Sequence, residues 1–571
     1  MPFTDTSPSK PGSWLCADGP YQERITSLCE RYPGLQQPDP ENSAAPLTSR
    51  KVQVTLLTVN ENSKYRREPP ITLPTGLQRL KHKLQSREGS QNVWLVENIN
   101  PEAVALLGAH FNMDPNFFLD YERVSKWARR ADQPNLTPML ATDAASRLYS
   151  VTKYCELRRL DGIDSYCVSC ADSGRFIHRM KRPNQNTHKN EFMTVSIIDR
   201  RVAYWHRTVG ADGWDVVILC DPPLRRPHVW KPGKEGKDGT FDANLRAFER
   251  NEPFQGGFRD FTSPTTVSPH DCAYLTRNSL SEDISYYLLN LKALGITSPS
   301  LSPGHTDPLF ILQKIIAAHY MQLMSFTTSH IRSLQRFLVR NDVLHDVEID
   351  WVEARWSEIV DITLRCNEYI DNLEAMMLGF GISFEEPQPI RSNNCNNDIS
   401  LDFQFILHQA QACKIRASEL NGALTALTSM VSNAQAHDEA RVSLREAKNV
   451  KALTIVAMLF IPLSFTSGLF SMNEQYMPGR NDFSTFWFVS VPLIIMVFAG
   501  AVVGEVGYGD DGKWGWGNFF HGLAQILSAW AKALRVCGKR CRDRARKGYL
   551  PAGEHTPNKE AIPGPAGVGS V

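Results

Sequence analysis

The residues of this sequence that could do chemistry are spaced for handling ions rather than for making bonds. Val450, Leu453, Ala457, Ile461, Ser464 and Gly468 advance by three or four positions, so they share one side of a helix. The path is apolar at its start and small or polar at its end. Apolar rings can gate by dewetting, while serine hydroxyls and backbone carbonyls can hold a cation. Just beyond it, Glu474 and Asp482 would place acid where cations have to be concentrated. A second group, Asp350, Glu353, Asp361, Glu368 and Asp371, falls within about 80° of a helical wheel, opposite Ile359, Ile370, Leu373 and Met377. Such a stripe is either a solvated helix face or a surface that senses divalent cations.

Bond-making chemistry finds no comparable pattern. The chain has no phosphate-cradling glycine loop and no nucleophile elbow, and its His and Ser residues fall into no catalytic spacing, so it does not read as an enzyme. Cys167-Val168-Ser169-Cys170 is a CxxC, but zinc would need two more ligands, and the neighbours Cys155 and His178 are poorly spaced for it. The 12 cysteines are spread without a disulfide-framework spacing, as expected of reduced thiols facing the cytosol. A net charge of +1 carries no nucleic-acid signature. No resident cofactor is implied.

The path needs an element to carry it, and the sequence supplies one. Residues 452–470 form a run of 19 without a charge, and residues 483–504 form a second of 22. Each is close to the ~20 residues that cross a bilayer as a helix. Core helices are normally interrupted by polar residues at helical spacing, and these are not. The 12 residues between them, 471–482, make the pair a hairpin with an outer loop. That loop holds one basic residue, Arg480, whereas Arg441, Arg445, Lys448 and Lys451 precede the first span and Lys532 to Lys547 form a basic run after the second. The positive-inside rule puts both termini in the cytoplasm and the loop outside. The N-terminus shows no signal-peptide core, so the protein reads as an integral, multi-pass membrane protein, with the plasma membrane as the expected location.

Ahead of the spans, residues 1–50 are rich in Pro, Ser, Asp and Gly and read as disordered. Residues 51–275 read as a cytoplasmic α/β domain. Val52–Val59, Val93–Val96, Phe192–Ile198, Val202–His206 and Trp214–Leu219 have strand character, and Pro101 and Asp114-Pro115 mark helix starts. Residues 276–451 read as a helical region with a stalk helix. Asp307-Pro308 opens a helix running to about Arg340, and Glu348–Leu378 is another. Phe403, Ile406, Ala410, Cys413, Ala417, Leu420, Leu424, Leu427, Val431 and Ala434 then form a heptad seam. A helix from Asp402 to Phe470 would be roughly 100 Å long at ~1.5 Å per residue. The seam favours self-association around a common axis, with packing inside one cytoplasmic bundle as the alternative. In residues 505–571, Trp516, Phe519, Leu523, Ile526, Leu527 and Trp530 share an apolar face ahead of the basic run. That tail suits a helix on the anionic lipid of the inner leaflet.

A long helix feeding a first span, a short loop and a second span near the C-terminus together resemble the CorA family of magnesium and divalent-cation channels. In that family a Tyr-Gly-Met-Asn run ends the first span, and a Met-Pro-Glu run often follows. Here the residues are Phe470-Ser471-Met472-Asn473 and then Met477-Pro478-Gly479. LTIVAMLFIPLSFTSGLF before them is also close to the family pattern, and VENINPEAVALLGAHFNMDPNFF resembles it more weakly. Ser471 stands where the motif has Gly, Gly479 where it has Glu, and Glu474 where a Phe is usual. The resemblance implies a funnel-shaped homo-oligomer, a pentamer, that conducts Mg²⁺ or another divalent cation as transported or regulatory ion. It places Ser471, Met472, Asn473, Glu474 and Asp482 at the outer mouth, with the Asn473 amide contacting a hydrated ion. The expected architecture is thus an α+β or α/β cytoplasmic domain, a long stalk helix and a two-helix membrane hairpin. A membrane-anchored interaction protein that no longer transports is the competing reading.

Overall fold

The computed structural model describes residues 10–38, 46–60, 64–87, 90–123, 142, 147–161, 168–183, 192–210, 213–231, 240–242, 250–261, 277–291, 294, 306–339, 349–384, 399–472, 483–507 and 528. The chain divides into two compact units, Met1–Ser429 and Met430–Val571.

The first unit is organised by a 12-stranded sheet. Its strands are β1 (Val52–Val59), β2 (Tyr65–Arg67), β3 (Ile71–Leu73), β4 (Gln91–Glu97), β5 (Tyr149–Asp161), β6 (Val168–Cys170), β7 (Phe176–Pro183), β8 (Phe192–Val209), β9 (Gly213–Cys220), β10 (Pro227–Lys231), β11 (Thr240–Asp242) and β12 (Arg250–Pro253). The main order is β11-β10-β6-β7-β8-β9-β4-β1-β2, with β3 on β1 and β12 on β5. The β4–β9 ladder is parallel, from Gln91↔Trp214 to Glu97↔Cys220. Strand β8 is the spine. One edge of it pairs β7 up to Ile198 and β9 from Val202, while β5 runs along the other edge from Tyr149↔Trp205 to Arg159↔Val195.

Both faces of the sheet are apolar, and the period of two decides which helix layer each side chain meets. Trp94, Val96, Val217 and Leu219 join α1 (Pro20–Leu28), α2 (Leu77–Ser86), α3 (Pro101–Phe111) and α4 (Pro115–Glu122) in one core. Val93, Leu95, Val216 and Ile218 join α5 (Leu280–Leu289), α6 (Thr306–Val339), α7 (Ile349–Gly379) and the first part of α8 (Ile399–Phe470) in the other. Helix starts follow capping chemistry. The Asn100 side chain accepts from Ala103 N at 2.9 Å, and Asp114 accepts from Asn116 N at 2.9 Å. Pro at the first helical position costs no hydrogen bond.

Three findings differ from the sequence reading. Residues 10–38 and 46–50 lie in the stretch expected to be disordered, yet Leu15, Tyr21, Ile25 and Leu35 are buried beside α3 and α4. Tyr21 lies against Gly108, where a β-carbon would come within 2.2 Å of its ring, and its hydroxyl donates to Met113 O at 3.1 Å. Tyr21, Ile25 and Cys29 keep a helical spacing, but only over about two turns, and Leu15 and Leu35 on either side do not continue it. Next, the expected boundary at residue 275 separates no cores, because the later helices form a layer on the sheet. Finally, the heptad seam is used within the chain over its first half. Phe403, Ile406, Ala410, Cys413, Ala417, Leu420 and Leu424 are buried in the helix–sheet core, while Val431 is half-buried and Ala434 exposed.

Among the described residues, three helices are long and apolar enough to cross a membrane by length and composition. In α6 the apolar residues serve the core, since 61% of its window, within Pro308–Arg336, is buried. The other two, the end of α8 and α9 (Phe483–Gly507), make up the described part of the second unit.

Candidate ion pathway

The hairpin is held by a small polar contact among apolar residues. Ser490 Oγ of α9 donates to Thr466 Oγ1 of α8 at 2.9 Å, both buried, and Thr466 Oγ1 donates in turn to Pro462 O at 3.0 Å. Phe470 meets Phe486 edge-on, ring centroids 5.9 Å apart. Hydroxyls in hydrocarbon must find partners inside the protein, and these do so within the hairpin. Pro462, Thr466 and Phe470 therefore define the face of α8 turned to α9.

At 100° per residue, Val450, Leu453, Ala457, Ile461, Ser464 and Gly468 centre about 180° away from that face. Leu453 and Ile461 are 70% and 68% exposed, Val450, Ser464 and Gly468 are also exposed, and Ala457 is half-buried. A β-carbon on Gly468 would meet nothing within 4 Å, so nothing among the described residues demands its smallness. Thr454, near the start of the span, turns its hydroxyl onto Val450 O at 2.8 Å.

At the end of α8, Ser471 N donates to Ser467 O at 2.9 Å and Ser471 Oγ to Gly468 O at 3.2 Å. Ser471 does not adopt a positive φ, so its β-carbon brings no backbone strain here. Met472 is almost fully exposed. Asn473, Glu474 and Asp482 lie outside the described residues, as do the rest of the outer loop and the amphipathic face and basic run of the tail.

The acidic stripe on α7 is split by its partners. Asp361 accepts from Arg365 Nε at 2.8 Å. Glu368 accepts from Lys153 of β5, which also faces Asp199 at 3.8 Å. Burial opposes the charge on Lys153, but Asp199 and Glu368 outweigh it and hold the ammonium above its usual range. Burial would likewise raise Asp199, yet Lys153 and His178 bring it down to about 2. Asp371 faces solvent, and the side chains of Asp350 and Glu353 fall outside the description. No cluster of three or more His, Cys, Asp or Glu suited to a metal occurs among the described residues. Cys155 and Cys170 are buried thiols on separate strands, burial pushes the Cys170 thiol up to about 12, and Cys167 lies outside the description. Sequence reasoning missed the Thr466–Ser490 contact because nothing local pairs two hydroxyls 24 positions apart.

Residues 392–503 match the family model described as CorA-like Mg²⁺ transporter protein. No curated protein matches the chain. Among solved structures, the full-length CmaX protein is 11% identical, covering 79% of this chain and 98% of that one at a TM-score of 0.29. The complete CorA magnesium transporter of Methanocaldococcus jannaschii is 10% identical, covering 78% and 96% at a TM-score of 0.28. At such scores the superpositions equate no positions, and the assignment rests on the family model. The matched segment, residues 392–503, holds the heptad seam, the first apolar span and all but the last residue of the second, and it is over this segment that the chain is similar to the CorA-like Mg²⁺ transporter family.

Proposed function

We propose that copies of this chain assemble around a common axis as a pathway for a divalent cation, Mg²⁺ foremost, lined by Val450, Leu453, Ala457, Ile461, Ser464 and Gly468. The observation that carries the reading is the exposure of this row on the side of α8 away from α9, with Gly468 uncrowded by any described residue of its own chain. Two helices cannot surround a water-filled path, so the row needs copies of itself. The family resemblance suggests five. Ser471, Met472, Asn473, Glu474 and Asp482 form the outer mouth. Amide and hydroxyl groups there suit Mg²⁺, which sheds its water reluctantly. The loop faces outward and both termini lie in the cytoplasm, where the basic tail meets anionic lipid. The exposed acid Asp371 leaves the α7 stripe as a surface on which a regulatory divalent ion could act.

The test is uptake of Mg²⁺, Co²⁺ or Ni²⁺ by liposomes holding the purified full-length protein. Flux in the unmodified protein that is blocked by Ser464→Phe, and unchanged by Phe488→Leu on α9, supports the pathway. An assembled protein that stays silent, also after Ser471→Gly, makes it a membrane-anchored interaction protein instead.

A further inference from the structure

Far from the membrane hairpin in sequence, a cavity of about 20 Å³ lies between β5, the first turn of α5 and α6. A single water needs about 10–15 Å³ by this measure. Three buried side-chain atoms without a hydrogen-bond partner belong to its lining: Arg277 Nη1, Asp283 Oδ1 and His319 Nδ1. Asp283 is only 4% exposed. Arg277 and His319 are fixed by packing. The Arg277 guanidinium lies over the Phe258 ring at 4.2 Å, beside Gly257, whose φ is 87° and where a β-carbon would come within 2.9 Å of Arg277 Cδ. The His319 ring sits between Tyr154 and Phe258, at 5.2 and 4.9 Å. Their polar neighbours are already engaged. Glu156 accepts from Arg158 Nε at 2.5 Å and Arg200 Nε at 2.8 Å, Ser279 Oγ donates to Glu97 at 2.5 Å, and Gln322 Nε2 donates to Phe254 O at 2.7 Å.

We propose that this cavity binds a small monovalent oxyanion, a carboxylate of formate size or bicarbonate, through Arg277 Nη1, His319 Nδ1 and the carboxyl of Asp283. Arg277 and Arg158 balance Glu156 and Glu282 around Asp283, whereas Arg277, Arg200 and Arg158 outnumber Glu156 around His319, so the His319 side of the cavity is the cationic one. Glu97, behind Ser279, is pushed toward its neutral form by burial. Burial and the nearby Glu156 raise Asp283 to about 7, although Arg277 and Arg158 oppose the shift. Burial, helped by the three arginines, lowers His319 to about 4, so at neutral pH its imidazole is uncharged and can present an N–H. Three donors then meet one anion. The bound anion holds the proton on Asp283, so affinity is expected to fall about tenfold per pH unit above 7.

Isothermal titration of sodium formate into the full-length protein in detergent tests this, with sodium chloride and sodium phosphate as controls at matched ionic strength. Saturable formate binding at pH 6 that weakens steeply above pH 7 is expected. Arg277→Met should weaken it at least tenfold, and Gly257→Ala, which displaces Arg277 without removing its charge, should weaken it as well. Asp283→Asn keeps a donor and should bind formate with no pH slope. No saturable formate binding, equal binding of chloride or phosphate, or a slope unchanged in Asp283→Asn would each overturn the assignment.

Discussion

Replacing Asp283 by Asn should stabilise the N-terminal unit at alkaline pH and leave it little changed in acid. The carboxyl is raised from an ordinary 3.8 to about 7, chiefly by burial. The folded protein therefore holds a proton that the unfolded chain releases between those values. Stability falls as pH rises from about 4 to about 7, and the loss is fully present above 7. At ~1.4 kcal/mol per unit, about 3 units correspond to roughly 4 kcal/mol as an upper bound. Water reaching the cavity reduces this to about 2–4 kcal/mol. His319 acts in the opposite sense. Its pKa is lowered from 6.5 to about 4, so its contribution is lost as pH falls through that window. In the unmodified protein the two slopes nearly cancel between pH 4 and 6.5. In Asp283→Asn the His319 slope stands alone, and the variant loses stability on acidification. Urea unfolding of the full-length protein, followed by the buried Trp94, Trp205 and Trp214, reads the difference at pH 5 and pH 8. The advantage of the variant should shrink by about 2–3 kcal/mol between pH 8 and pH 5. Parallel pH profiles for the two proteins would refute the reasoning.

Asn473→Ala should abolish or strongly reduce divalent uptake in liposomes while the oligomer, measured by light scattering, stays intact; unchanged flux removes Asn473 from the mouth. Ser471→Gly should raise uptake by clearing a β-carbon and a hydroxyl from the proposed outer mouth; equal flux in both proteins would show that Ser471 does not limit it. A cysteine at Gln475 should react with an impermeant thiol reagent on intact cells, and reaction only after permeabilisation reverses the topology. Thr466→Val should loosen the hairpin by about 1 kcal/mol, seen as unfolding at lower SDS fraction, because Ser490 Oγ loses its acceptor; an unchanged transition would mean that aromatic packing alone holds the helices.

What the sequence reveals here is what repeats along one element. The strand character of Val52–Val59 and Trp214–Leu219, the starts at Pro101 and Asp114-Pro115, and the helices after Asp307 and Glu348 are local patterns, and the structure has an element at each. The row from Val450 to Gly468 is equally local, which is why a wheel finds the face that turns out to lie opposite α9. Contacts between distant segments leave no such trace. The heptad seam states that one side of α8 is apolar, but not whether α6 and α7 or another copy covers it. The structure assigns Phe403 to Leu424 to the chain's own core, with Leu427 packed at its edge, and among the described residues Val431 and Ala434 are left for a partner. The N-terminal segment packs through apolar residues whose helical period lasts only about two turns, one of them, Tyr21, admitted by the missing β-carbon of Gly108. The cavity is the extreme case. Its polar wall draws on β5, the approach to α5, α5 itself and α6, and no one of these segments looks unusual alone. An aspartate in a first helical turn reads as ordinary dipole chemistry. Only the sheet beneath it, carrying a glutamate already held by two arginines, turns Asp283 into a group that gains by keeping its proton.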